Sequence, residues 1–181
     1  MPGHNTILSG KKFDITLERL CYQLIENHGN FRNAVLIGLQ PRGIFLARAL
    51  EQRLNTILTP LKVPYGELDT TFHRDDFRMH KGPLLPSSMK MDITVENKNI
   101  VFVDDVLYTG RTIRAGMDAL LDFGRPASVE LLVLVDRRYS RQLPIEPNYV
   151  GLMVDTRASH KVKVNWRAEG GEDDSIWLES E

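Results

Sequence analysis

The chain has 181 residues, 23 Lys and Arg against 24 Asp and Glu, and a formal net charge of -1. That length supports one domain with its own core, and the near-neutral balance excludes a protein coated in basic residues, though not a local basic face. Cys21 is the sole cysteine, which excludes an intrachain disulfide and a Cys-based zinc site and suits a reducing compartment; with no apolar run near the roughly 18 residues of a membrane span, and no apolar leader in MPGHNTILSGKKFD, a cytoplasmic protein without membrane partners is expected.

Asp14 to His28 carries Leu17, Leu20, Cys21, Leu24 and Ile25 at the spacing of one helical face, with Asp14 or Thr16 as candidate cap. Asn33 to Leu39 is a continuous apolar run of strand length. After the turn Gln40-Pro41-Arg42-Gly43, Leu46, Ala47, Leu50 and Leu54 mark a second helix. Thr56 to Val63 and Glu67 to Arg74 read as two strands around a Pro64-Tyr65-Gly66 turn, which predicts a hairpin. The stretch from Asp75 to Asn97 is polar, irregular and long for an ordinary connection. Asn99 to Val103 is an apolar strand, Gly110 to Phe123 a helix stopped by Gly124 and Pro126, and Ser128 to Val135 another buried strand. Short strand-like pieces follow at Tyr149 to Val154, Lys161 to Trp166 and Ser175 to Leu178, with a turn at Gly170-Gly171. Near-continuous apolar strands alternating with helices predict an α/β fold, a mostly parallel central sheet flanked by helices.

Ligands of such sheets collect beyond the carboxyl ends of the strands. There the sequence places Gln40-Pro41-Arg42-Gly43, then Asp104-Asp105-Val106-Leu107-Tyr108-Thr109-Gly110-Arg111-Thr112, then Asp136-Arg137-Arg138. Adjacent carboxylates at a buried strand end disfavour each other's ionisation, and a ligand or cation is the common reason to keep them. Thr109 to Thr112 opens a helix, where free N–H groups, the helix dipole, a glycine and hydroxyls form a pocket of phosphate size. A ribose 5-phosphate has that layout. On the residues alone, solvated loop acids beside an ordinary helix cap remain the alternative.

The run VFVDDVLYTGRT resembles the 5-phosphoribosyl-1-pyrophosphate signature of type I phosphoribosyltransferases. The longer VDDVLYTGRTIRAGMDALLDFGRP, with VPYGELDTTFHRDDF and LVLVDRRYSRQLPIEPNYVG, is similar to the bifunctional pyrimidine operon attenuator and uracil phosphoribosyltransferase family. The resemblance covers most of the chain. It implies one domain over 1–181 with the type I fold, a flexible lid loop over about 74–97 and a small C-terminal hood over about 137–181. It also implies a homodimer or higher homo-oligomer.

By the same resemblance, Asp104 and Asp105 hold the ribose hydroxyls and support Mg²⁺, and the loop Val106, Leu107, Tyr108, Thr109, Gly110, Arg111 and Thr112 binds the 5-phosphate. Pro41, Arg42 and Gly43 form the pyrophosphate turn, with Pro41 where a small residue is commoner. Arg74 and Arg78 belong to the lid, while His73, His80 and Lys81 read as solvated. Arg137 and Val154 lie near the base, which is uracil in this family; guanine, hypoxanthine and orotate stay open. The implied reaction displaces pyrophosphate from ribose C1 by a base nitrogen, with Arg42, Arg74 and Arg78 meeting the departing charge.

The alternative is an RNA-binding attenuation regulator that senses UMP or the phosphoribosyl donor. Arg19, Arg32, Arg137, Arg138 and Arg141 could form a basic patch. Glu18, Tyr22 and Gly29 stand where RNA-binding members carry a hydroxyl, a histidine and a lysine, and Glu146-Pro147 stands where a basic residue would help. Fewer cations on a phosphate-contacting face weaken RNA binding. Gly38 to Gly43 lacks the Lys and Ser or Thr of a P-loop, the five histidines have no metal-ligand spacing, and Cys21, Trp166 and Trp177 read as packing residues.

Overall fold

The computed structural model describes residues 4–73, 93–156 and 159–180. Its elements are β1 (His4–Ser9), α1 (Gly10–His28), β2 (Ala34–Leu39), α2 (Gly43–Ile57), β3 (Tyr65–Leu68), β4 (Asn99–Leu107), α3 (Arg111–Leu120), β5 (Ser128–Arg138), β6 (Tyr149–Asp155), β7 (His160–Asn165) and β8 (Ser175–Ser180).

The continuous apolar runs become strands because both of their faces are covered. In β2, Val35, Ile37 and Leu39 pack with Ile100 and Phe102 of β4, Leu131 and Val133 of β5, and Ile113, Ala119 and Leu120 of α3. The alternate residues Leu36, Val101, Val103, Leu132 and Leu134 pack with Phe13, Leu17, Leu20 and Leu24 of α1 and Leu46, Leu50 and Leu54 of α2. The central sheet has five strands in the order β3-β2-β4-β5-β6, all pairs parallel. It is the expected α/β architecture, with helices on both faces. A second sheet of three antiparallel strands, β1-β8-β7, joins the main core through Val164, Trp166 and Ile176. Trp166 is core, edge-on to Phe13 at 5.6 Å and stacked with Phe45 at 6.5 Å. Cys21 is fully buried, and that burial pushes its thiol up to about 12.

Three local expectations are corrected. The hairpin does not form: Leu46, Leu50, Leu54 and Leu58 continue one apolar stripe, so α2 runs on to Ile57 and stops before Pro60. Tyr65 and Gly66 are then strand rather than turn, pairing in parallel with Leu36 and Ile37. Helix α1 starts at Gly10 rather than Asp14, and neither proposed cap acts as one. Asp14 accepts an ion pair from Arg53 at 2.8 Å, and the Thr16 hydroxyl donates back to the Lys12 carbonyl at 2.9 Å. The strands β4 and β5 also extend past Val103 and Val135, to Leu107 and Arg138. Residues 74–92 of the expected lid lie outside the described residues, and the stretch from 137 onward divides between the two sheets.

From β2 the chain proceeds to β3 on one side, and from β4 to β5 on the other. That switch leaves a crevice at the carboxyl ends of β2 and β4, the position where open α/β sheets take ligands. The crevice is narrow at its base because α2 begins against β4. A Cβ on Gly43 would lie 2.3 Å from the Val103 carbonyl oxygen and 3.0 Å from the Asp104 Cα. Both obstacles are backbone and cannot swing aside. Gly43→Ala is therefore expected to lower stability by about 1–3 kcal/mol through overpacking. Urea unfolding checks this, and a midpoint unchanged from wild type would mean α2 and β4 are further apart than described.

Candidate functional site

Asp104 and Asp105 sit at the crevice as strand residues, 7% and 5% exposed. The Asp105 N–H donates to the Asp104 Oδ1 at 2.9 Å. Burial first, and then the neighbouring Asp105 charge, hold the Asp104 carboxyl well above its usual range. Burial raises Asp105 as well, opposed by the guanidinium of Arg42. These are not solvated loop acids.

Arg42 reaches the pair from the β2–α2 turn, in which the Gln40–Pro41 peptide is cis and Pro41 is exposed. Its Nε donates to Asp105 Oδ2 at 2.9 Å, and its Nη2 to the Val164 carbonyl at 2.6 Å. Its Nη1 donates to both carboxylate oxygens of Glu169, at 3.0 and 3.2 Å. Sequence reasoning found Arg42 and the acids but not Glu169 or Val164; the separation of 127 residues between Arg42 and Glu169 carries no sequence signal.

Beyond the acids, Val106 packs against the main core and Leu107 is buried, 1% exposed. The chain then turns through Tyr108, Thr109 and Gly110 into α3. Gly110 has φ +91, a conformation suited to glycine, and its carbonyl takes the N–H of Arg114 at 3.0 Å. The Thr109 hydroxyl accepts the Arg111 N–H at 3.3 Å. The turn is braced from outside. The Thr109 carbonyl accepts the N–H groups of Gln142 and Leu143 at 3.0 and 3.3 Å, and Arg111 Nε donates to Gln142 Oε1 at 2.9 Å. Arg141 donates to the Tyr108 carbonyl at 2.8 Å and to Asp136 at 2.5 Å. A braced turn opening a ten-residue helix offers an oxyanion N–H groups and the positive end of a dipole at little reorganisation cost.

Arg137 is buried, its guanidinium 4.2 Å from the centre of the Tyr108 ring. It donates to Thr156 Oγ1 at 3.1 Å and to the His160 carbonyl at 2.8 Å, linking the Tyr108 turn to the small sheet. Val154 packs partly against the main core. Arg74 and Arg78 lie outside the described residues, and His73 pairs with Asp122 at 3.3 Å.

Most of the arginines proposed for RNA are engaged. Arg19 donates to the Val150 and Gly151 carbonyls of the edge strand β6, the shortest contact being 2.6 Å. Arg138 makes a two-point pair with Asp155 at 2.6 and 2.8 Å, and Arg141 is held by Asp136 and Tyr108. Arg32 is exposed. A recess of about 830 Å³, lined in part by Arg138, Tyr139, Arg141, Leu143, Ile145 and Met153, opens beside the 141–143 brace.

Residues 3–166 match the family model described as phosphoribosyl transferase domain. The chain is 44% identical over 157 residues to an Enterococcus faecalis protein named bifunctional protein PyrR, covering 87% of this chain and 86% of that one. It is 41% identical over 175 residues to the Streptococcus mutans protein of that name, covering 97% and 96%. Among solved structures, the hypoxanthine phosphoribosyltransferase of Trypanosoma cruzi superposes with a TM-score of 0.71 at 15% identity, over 98% of this chain and 97% of that one. A hypoxanthine-guanine phosphoribosyltransferase of Bacillus anthracis gives 0.67 at 17% identity, over 98% of each chain; at such identities these two speak for the fold alone. With the crevice, the acid pair and the braced turn into α3 in place, these matches show that the chain belongs to the phosphoribosyltransferase family, in its bifunctional PyrR branch.

Proposed function

We propose that the chain joins uracil to the ribose of 5-phosphoribosyl-1-pyrophosphate, forming UMP and releasing pyrophosphate. The observation that carries this reading is the buried Asp104–Asp105 pair in one crevice with a braced helix-opening turn and Arg42. Its physical logic is complementarity. Vicinal hydroxyls suit two carboxylates, a 5-phosphate suits the N–H groups of Thr109 to Thr112, and a leaving pyrophosphate suits the guanidinium of Arg42.

In the reaction the bond from C1 to the pyrophosphate oxygen breaks, its electron pair leaving with the oxygen, and a bond from the uracil N1 to C1 forms as N1 loses its proton. Positive charge builds on the sugar as C1 loosens, and the buried acid pair supplies the opposing field. No covalent nucleophile is needed; orientation and charge carry the step. Mg²⁺ fits the donor set, because it takes one or two hard carboxylate oxygens and shares the rest with phosphate and water, and a cation offsets the burial that raises both acids and the Asp105 charge that adds to it at Asp104. When bound, it would neutralise charge on the departing pyrophosphate. Arg137 places a guanidinium against Tyr108 at the edge of the phosphate turn, a position from which it can border the base.

Uracil rests on the family resemblance, since ring contacts through backbone groups leave no mark in sequence. An RNA-regulatory role is the second reading, favoured by the word bifunctional in the relatives' name. Against it, Arg19, Arg138 and Arg141 already serve carbonyl or carboxylate partners within the chain. Homodimer formation and residence in the cytoplasm belong to the same proposal. Among the described residues no helix is long and apolar enough to cross a membrane.

The direct test is pyrophosphate release from the donor with Mg²⁺ and, separately, uracil, orotate, guanine and hypoxanthine. Turnover is expected with uracil, with a loss of about 100-fold or more when Asp104 and Asp105 are both changed to Asn. Turnover with no base, or a double variant as fast as wild type, would contradict the assignment.

A second expectation concerns stability. The folded-state pKa of Asp104 is raised above its usual 3.8, so the folded chain holds that proton more tightly than the unfolded one. The associated stability is full below about pH 4 and is lost as pH rises through the folded value. Asp104→Asn removes the charge but keeps an oxygen for the Asp105 N–H. It is expected to raise the Tm at pH 7.5 in Mg²⁺-free buffer by about 2 °C or more, with the gain vanishing near pH 4. A variant less stable than wild type at pH 7.5 would mean that the carboxylate is structural.

A further inference from the structure

Arg42 is assigned above to the leaving pyrophosphate, yet each of its three guanidinium nitrogens already has an acceptor, and one of these is an anion carried by the small sheet. Nη1 donates to Glu169 Oε1 and Oε2 at 3.0 and 3.2 Å, so a two-oxygen acceptor occupies the cation much as a phosphate would. Glu169 is on a defined mount rather than a loose surface arm. It ends the short 3₁₀ turn Arg167–Glu169, where its own N–H donates to the Trp166 carbonyl at 3.0 Å and the Gly170 N–H donates to the Arg167 carbonyl at 3.0 Å. Trp166 anchors that turn in the core between Phe13 and Phe45. The pair is nonetheless open to exchange, because the side chains of Arg42 and Glu169 are 38% and 43% exposed, whereas Asp105, the other acid on Arg42, is 7% exposed.

We propose that Glu169 is a resident competitor for Arg42: a pyrophosphate group entering the crevice takes the guanidinium from it, so that Glu169 sets donor affinity and couples the seating of the small sheet to occupancy of the pyrophosphate half of the site. The proposal rests on the phosphoribosyltransferase reading of that site. Glu169 is a positioning residue in this scheme, acting through Arg42 and touching no reacting atom. It explains why the small sheet reaches the core through this arginine as well as through Trp166, since Val164 of the same sheet accepts from Nη2.

The test is calorimetric titration of inorganic pyrophosphate with Mg²⁺ into the full chain, in wild type, Glu169→Gln, Asp173→Asn, Arg42→Gln and the Arg42→Gln, Glu169→Gln double variant. Gln keeps the size and one acceptor oxygen of Glu169 but removes its charge. Asp173 is the control, an exposed acid of the same region paired with Arg167 and not with Arg42. Glu169→Gln is expected to bind pyrophosphate about two- to five-fold more tightly, the range an exposed ion pair commands, with the gain shrinking as salt rises. In turnover the donor KM falls by the same factor while kcat holds. Asp173→Asn leaves binding unchanged, and Glu169→Gln adds nothing in the Arg42→Gln background.

Unchanged or weaker pyrophosphate binding in Glu169→Gln overturns the proposal while leaving the enzymatic reading intact. An equal gain in Asp173→Asn, or in the Arg42→Gln background, overturns it too, since the effect would then be a general field. If wild type and every variant fail to bind pyrophosphate, the reading of the site and the proposal fall together. The comparison of Glu169→Gln with Asp173→Asn decides the matter without the Arg42 variants, should loss of the Asp105 partner unfold them.

Discussion

Burying two adjacent carboxylates is the constraint around which this molecule is arranged. Asp104 and Asp105 belong to a strand with apolar neighbours on both faces, and their combined charge is answered within the described residues by one nearby guanidinium. Such an arrangement opposes folding, since desolvation and mutual repulsion both disfavour the ionised pair. The surroundings accommodate it in specific ways. Gly43 lets the α2 N-terminus close against Val103 and Asp104, and Arg42, the preceding residue, is thereby delivered to Asp105.

The same economy of contacts governs the rest of the crevice. The turn that opens α3 is fixed by hydrogen bonds from the 141–143 segment, so the loop between β5 and β6 is part of the crevice's framework. Two arginines, Arg42 and Arg137, run from the crevice into the small sheet, one to Val164 and Glu169 and the other to Thr156 and the His160 carbonyl. Each is a group to which the family logic gives a ligand. The small sheet therefore rests on two arginines of the crevice, and the exchange proposed for Arg42 would couple its position to the occupancy of the site.

What was legible in the sequence follows from the range of the interactions. Strands β2, β4 and β5 could be read because burial on both faces leaves an uninterrupted apolar run, and the acid pair and the Thr109–Thr112 turn because they are contiguous. β1 could not be. It is short and largely exposed along its described side chains, and it becomes a strand only because β8, at the other end of the chain, pairs with it. The 56–66 region was misread because Thr56, Ile57 and Tyr65 suit strands by propensity, while the leucine stripe of α2 and the pairing of β3 with β2 decide the outcome. Arg19 illustrates the limit for the site: in sequence it is a cation on an exposed helix face, and in the fold it closes the open edge of β6 through two carbonyls.

A crystal structure of the chain with UMP would show whether the crevice between β2 and β4 is built for a phosphorylated ribose. The 5-phosphate is expected on the N–H groups of Thr109 to Thr112 and the ribose hydroxyls on Asp104 and Asp105. A nucleotide found instead in the recess beside Tyr139 and Met153, with the acid pair untouched, would contradict it.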